Sequence, residues 1–478
     1  MIQPSRPDRF CFQQMSLFHH CLCIIAAGAI LLFGGPKVLG QTASNPDVDK
    51  VEAMNGQILA LYRQGQYTQA LDLAVKALKF SEDTLGPEHP ETATCLNDLG
   101  GMYENLGDYT NAEAMFKRGL EIREKVLGPK HPFTARNLQN LGSIYTRMGQ
   151  YTNAEPLLLR GLAINEKVTG SNSVATGMSV AGLGNLYRDM GDYGKSKSCF
   201  ERALAISKET SGPEHPNTAT ALNNLAAIDI SMGDYAHAEP LLQRVLSISE
   251  KILGSEHPNT GRTLSALGAL YLYMGDYAKS ESFYQRALAV LEKNPGPEHP
   301  DTAITLGGLG MLYMNMGDYG KAAPMFERAL KIQEKTLGPN HPAVAITLGK
   351  LAGLYEKTGD FAQAELLEQQ VLSIDQKALG SEHPQTAIAL LNLGGLYEKM
   401  GDFSKAESFD KQALAIQEKV LGAEHPELAA SLNNLSSVFS KTGDFAKAEP
   451  LLRRAVEIDE KVLGLENPAT ANSLANLV

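Results

Sequence analysis

The most conspicuous chemistry in this sequence belongs to eight His-Pro pairs. His89, His131, His215, His257, His299, His341, His383 and His425 each precede a proline at one recurring position. Imidazole is a common metal ligand, so a row of histidines invites a metal reading, but the spacing rejects it. Zinc holds its ligands at ~2.0–2.1 Å, whereas equivalent positions on successive stacked helices lie ~8–10 Å apart. No two of these histidines reach one ion, and their expected place is at the start of a helix. His237 stands alone on another helix and belongs to no pattern. No phosphate-binding glycine loop, G-x-S-x-G or H-E-x-x-H occurs, so no catalytic set, metal or cofactor is expected. The many Glu and Lys residues read as solvated helix faces with i,i+4 pairing.

The elements that carry the histidines repeat without slippage. The glycine of a G-[DQ]-[YF] step falls at Gly65, Gly107, Gly149, Gly191, Gly233, Gly275, Gly317, Gly359, Gly401 and Gly443, every interval being 42 residues. A strict period of this size signals a solenoid, in which each unit contacts mainly its neighbours. Within one unit, Leu390, Leu393, Tyr397 and Met400 recur at helical spacing and predict a first helix over 384–399. Gly401 breaks it, and Asp402 is placed to cap a second helix that carries Ala406, Phe409, Ala413, Leu414 and Ile416. Gly422 supplies the next turn, and Pro426 opens the next helix, where its missing N–H does no harm. A small residue recurs in each second helix, from Ala70 to Ala448, and lets the paired helices approach. The aromatic after each Asp or Gln, from Tyr67 to Phe445, is expected to plug the helix pair.

The pattern L-x-x-L-[GA]-x-x-Y…G-[DQ]-[YF]-x-x-A closely resembles the tetratricopeptide repeat. The 42-residue unit and the LGxEHPxTAxxLNNLA join resemble the repeats of kinesin light chains, without the heptad coiled coil those proteins carry. The resemblance covers about residues 51–478. It implies an all-α, right-handed superhelical solenoid of about ten helix pairs plus a terminal half repeat, acting as a non-enzymatic scaffold. Such a scaffold takes a peptide segment or partner protein in its concave groove. On that groove face lie Asn97, Asn140, Asn223, Asn224, Asn392, Asn433 and Asn434, whose amides both donate and accept. In the middle of the groove, Ile230, Leu272, Met311 and Met314, with Tyr273 beside them, are expected as an exposed apolar patch that takes an anchor side chain. Two further readings are a regulatory or sensor arm of a larger effector and a kinesin-light-chain-type cargo adaptor. A net charge of −11 argues against nucleic acid as a partner.

Residues 1–40 differ from the rest. Arg6 and Arg9 precede an apolar run from Cys21 to Phe33, and Val38-Leu39-Gly40 offers a cleavage site. This is the organisation of a secretory signal peptide, with Met15 an alternative start. Export is therefore expected, with a membrane anchor over 17–35 as the alternative and 41–50 as a polar linker. Cys95 and Cys199, two units apart, lie beyond the ~7 Å Cα separation a disulfide allows and read as buried apolar residues. Three departures from the pattern stand out. The first unit, with Gly56 and Gln57 at core positions, reads as a cap. The fourth, with Gly177, Gly182 and Gly184, reads as a soft point. In the fifth, Asp229 replaces a core tyrosine.

Overall fold

A computed structural model describes residues 45–465 and 467–477. Among these it contains 21 α-helices and no strand, in ten pairs plus a final single helix. The signal peptide, its cleavage site and Met15 lie outside the described residues. The linker boundary shifts: the first helix begins at Pro46, and Asn45 accepts from the Asp47 backbone N–H at 3.0 Å. A capped proline start with two acidic residues in the first turn is enough to carry the helix into the polar stretch. Gly56 and Gln57 face solvent on this helix, as suits a cap.

Each unit follows one local plan. The second helices start at the aromatic of the G-[DQ]-[YF] step, and Asp108, Asp192, Asp234, Asp276, Asp318, Asp360, Asp402 and Asp444 each accept from the backbone N–H three residues on. All eight histidines cap the first helices, Nδ1 accepting from the N–H two residues on at 3.0–3.2 Å. The threonine of the H-P-x-T step closes the same turn by donating to the carbonyl of the preceding glycine, as Thr92 does to Gly86 at 2.8 Å and Thr386 to Gly380 at 2.7 Å. The G-x-E-H-P-x-T string is thus a complete helix-start motif, with the proline at a position that needs no donor.

The first helices contact one another along the inside of the solenoid, and the second helices form its outer layer. The outer charges pair largely between helices rather than at i,i+4: Arg118–Glu82 and Arg160–Glu124 join neighbouring units at 2.6 Å, and Lys335–Glu298 ties the end of one unit to its own start at 2.8 Å. These pairs are solvated, so each contributes at most ~1 kcal/mol.

The fourth unit is not interrupted. Its first helix runs unbroken over Val174–Asp189, with Ser173 replacing histidine as the cap. Gly184 is a packing residue, since a Cβ there would meet the Phe200 ring at 2.8 Å. Gly100 and Gly310 make the same room for Phe116 and Phe326.

The Asp229 replacement is compensated within the fold. Elsewhere the tyrosine hydroxyl donates to a glutamate 32 residues earlier: Tyr145 to Glu113, Tyr187 to Glu155, Tyr271 to Glu239 and Tyr313 to Glu281, at 2.6–3.0 Å. In the fifth unit both partners change together. Lys197 stands at the glutamate position, and its Nζ donates to Asp229 Oδ1 at 2.7 Å. Burial pushes the Asp229 carboxyl up, while the lysine acts to lower it. Cys95 is buried and Cys199 half-buried, both as free thiols.

Candidate interior binding site

The solenoid winds back on itself, and this return encloses the site. His341 Nε2 meets the Asn105 carbonyl at 3.2 Å, and His383 Nε2 the Arg147 carbonyl at 2.8 Å; each pair is 236 residues apart. His299 and His425 pack the same way against Gly65 and Gly191. Asn467 takes the histidine's place in the last unit. Its Oδ1 accepts from Ala469 N–H at 2.9 Å, and its Nδ2 donates to the Met232 carbonyl at 3.0 Å. Five turns of the first coil therefore receive five helix starts of the second, six units further along the chain. At four of these turns the left-handed glycine has little or no room for a Cβ, which would sit 2.9 Å from His299 at Gly65, 2.8 Å from Pro342 at Gly107, 3.0 Å from Pro384 at Gly149 and 2.7 Å from His425 at Gly191. Leu379 adds an apolar contact to the cluster of Tyr109, Phe116 and Leu141. Burial holds the imidazoles of His341 and His425 down to about 4, and lowers that of His299.

An interior cavity of about 1120 Å³ runs along the first helices, lined from the first unit to the last. It is larger than the ~300–1,000 Å³ typical of small-molecule sites. Its charges alternate and largely neutralise one another within the wall: Arg147–Glu104 at 2.7 Å, Arg188–Asp189 at 2.8 Å and Arg262–Asp301 at 2.7 Å. Polar groups cluster on the first coil, where Asn140, Asn185 and Asn224 border the space. Asn140 is 4% exposed; its Nδ2 donates to Asn97 Oδ1 at 2.7 Å, and its own Oδ1 is buried with no partner. On the second coil the lining turns apolar at Ile304, Ile346 and Ile388, three isoleucines spaced by the 42-residue period.

Of the residues expected in the groove, Asn140 and Asn224 border the cavity. Asn97 and Asn223 are buried within the helix layer. Asn392 donates to Glu368 at 3.3 Å, a carboxyl that burial pushes up to about 8. Asn433 donates to Ser473 at 2.8 Å, and Asn434 is half-buried away from the cavity wall. These asparagines mostly tie neighbouring units together.

The expected apolar patch is corrected. Met314 is 2% exposed and packs with Met311 and Leu312 against Tyr284 and Phe326, Leu272 lying against the same cluster. Ile230 is buried with Tyr271, and Tyr273 stacks on Tyr235 at 6.1 Å. Close approach of successive first helices covers this face. The residues missed are the isoleucine row and Arg147, Arg188 and Arg262. The isoleucines carried a signal in their identical place in three successive units.

No curated protein matches the sequence. Among solved structures, a putative kinesin light chain of Podosopora anserina with nearly identical TPR-like repeats is 23% identical, with a TM-score of 0.37, over 44% of this chain and 99% of that one. BtubC (BKLC) from P. vanneervenii is 26% identical, with a TM-score of 0.39, over 50% and 93%. A Rap protein solved in complex with Competence and Sporulation Factor is 14% identical, with a TM-score of 0.51, over 87% and 99%, and shares the fold. The tetratricopeptide repeat family matches residues 50–125, 96–167, 173–251, 219–293, 267–335, 301–377, 369–419, 385–461 and 427–477. With the family's repeat matched along almost all of its described length, and each unit built as a capped helix pair, this chain belongs to the tetratricopeptide repeat proteins.

Proposed function

We propose that the protein is a non-enzymatic scaffold that holds an extended peptide segment of a partner protein in the interior cavity. The observation that carries this reading is the lining of the cavity, with the carboxamides of Asn140, Asn185 and Asn224 on the first coil and the isoleucine row on the second. A carboxamide both donates and accepts, which suits the alternating N–H and C=O groups of a peptide backbone. Asn185 and Asn224 offer further amides along the same wall, and Ile304, Ile346 and Ile388 take apolar side chains of the ligand. A long cavity lined by carboxamides and aliphatic residues suits a chain of repeating amides better than a compact metabolite. The apolar leader at the N-terminus supports export of this scaffold, which N-terminal sequencing of the mature protein tests.

The test is selection of peptides from a displayed random library on the immobilised full chain, followed by calorimetric titration. Asn140→Leu with Ile346→Asp is expected to weaken a selected peptide at least tenfold, on the order of 1.4 kcal/mol or more, with the helical circular dichroism kept. Equal binding by the variant, or cross-linking of the peptide to the outer helices alone, overturns the reading.

A further inference from the structure

The contact that joins the two coils uses only half of each matching surface. The turns of the first coil, at Gly65, Gly107, Gly149, Gly191 and Gly233, are covered by helix starts of the second. The corresponding turns of the second coil, at Gly317, Gly359, Gly401 and Gly443, have open space where a Cβ would lie. The leucine or methionine that precedes most of these glycines shows the same split. Leu106, Met148, Met190 and Met232 are half-buried, while Met316 and Met400 are exposed. On the opposite side, His299, His383 and His425 are each 6% exposed in the coil contact. The helix-start histidines of the first coil are more open: His89, His131 and His257 are half-buried, and His215 is exposed.

We propose that the open turn face of the second coil docks a second copy of this chain, stacked head to tail through the helix-start face of its first coil. Both faces already meet within one chain, and the unslipped 42-residue period presents them again on the outside at the same spacing, with Ser173 for one histidine and Thr358 and Thr442 for two of the methionines. The donors and acceptors match too. A histidine Nε2–H is offered to a turn carbonyl, as His383 is offered to Arg147. Exposed methionines and Phe445 provide an apolar border of the kind that marks interaction surfaces. Because the two faces differ, the contact is heterologous and leaves each added copy with one free face of each kind. The product is an open linear stack rather than a closed dimer.

Sedimentation velocity of the full chain over roughly a hundredfold range of concentration tests this. The expected result is a weight-average mass that rises continuously past that of a dimer. Met316→Glu with Met400→Glu disables the turn face at exposed positions. His89→Asp, His131→Asp and His215→Asp together disable the other face while keeping an N-cap at each site. Each variant alone is expected to remain monomeric, and an equimolar mixture to form a dimer that grows no further. A wild type that is monomeric throughout overturns the proposal. So does a closed wild-type dimer, self-association unchanged in either variant, or a mixture that stays monomeric.

Discussion

The first and second coils are written in one repeat, yet the same repeat position has different surroundings in each. Tyr109, first residue of its helix in the first coil, is 8% exposed; Phe445, at the same position in the last pair, is 67% exposed. The aromatic packs on its own helix pair in both coils, as Tyr319 and Phe403 do in the second. It is buried only at Tyr109, beside Leu379 of the other coil, and is exposed at Phe445. Histidine shows the converse. Wherever it stands in the repeat it caps a helix, but only in the second coil does its far nitrogen also grip a turn. In a repeat array, local register sets what a residue does within its unit, and the winding of the whole decides whether it does anything more.

Truncating the two aromatics should separate the coils most sharply. Tyr109→Ala is expected to cost ~3–5 kcal/mol as a buried aromatic deletion, and Phe445→Ala no more than about 0.5 kcal/mol as a surface change. Urea denaturation of the two variants measures this, and equal losses would break the comparison. Glycine substitution gives the next effect. Gly191 and Gly401 have φ of +72° and +82°, so an alanine at either bears ~1–2 kcal/mol of left-handed strain. At Gly191 the new methyl also runs into His425, adding roughly 1–3 kcal/mol of overpacking. Gly191→Ala should therefore lengthen the particle in small-angle scattering, and Gly401→Ala should not.

Acid should give the smallest of the three differences. His299, His341 and His425 have imidazoles held below the ordinary 6.5, to about 4 for the last two. Groups with a lowered folded value favour the closed coil fully above pH ~6.5. Their contribution declines as pH falls toward ~4, because the opened histidines take protons that the closed ones refuse. The charged neighbours are Asp301 on its own helix and Arg262 of the preceding unit at His299, and, across the contact, Arg147 at His341 and Asp189 at His425. Glu368 and Asp375 are raised by burial and favour the folded state as pH falls, so whole-protein melting mixes opposite signs. Distance between dyes on the two coils isolates the contact. It should widen between pH ~6.5 and ~4 in the wild type, and much less in His341→Asn with His425→Asn, where asparagine serves as Asn467 does. Identical widening in both proteins would remove the histidines from the latch.

Much of the unit was legible because its signals are local. Gly401 and Asp402 end one helix and cap the next through backbone conformation and a short-range bond, and both stand in the sequence. So, in principle, does the Lys197–Asp229 exchange, since glutamate gives way to lysine 32 residues before tyrosine gives way to aspartate. The candidate site was less legible. Asn140 was placed on the inner face and does border the cavity, but Met311 and Met314 looked exposed because helical periodicity separates the faces of one helix and says nothing of the next unit's approach. Ile304, Ile346 and Ile388 have ordinary core chemistry, and only their neighbours make them a cavity wall.

The sequence by itself determined the helix pair, its caps, its period and the membership of the chain in a repeat family, because each rests on contacts within about one unit. Only the tertiary structure decided that the solenoid returns on itself after six units, that four histidines and Asn467 meet turns about 235 residues away, and which faces stay open. The physical reason is accumulation. The rotation from one unit to the next is set by small differences in side-chain packing between neighbours, and the return of the coil is the sum of six of them.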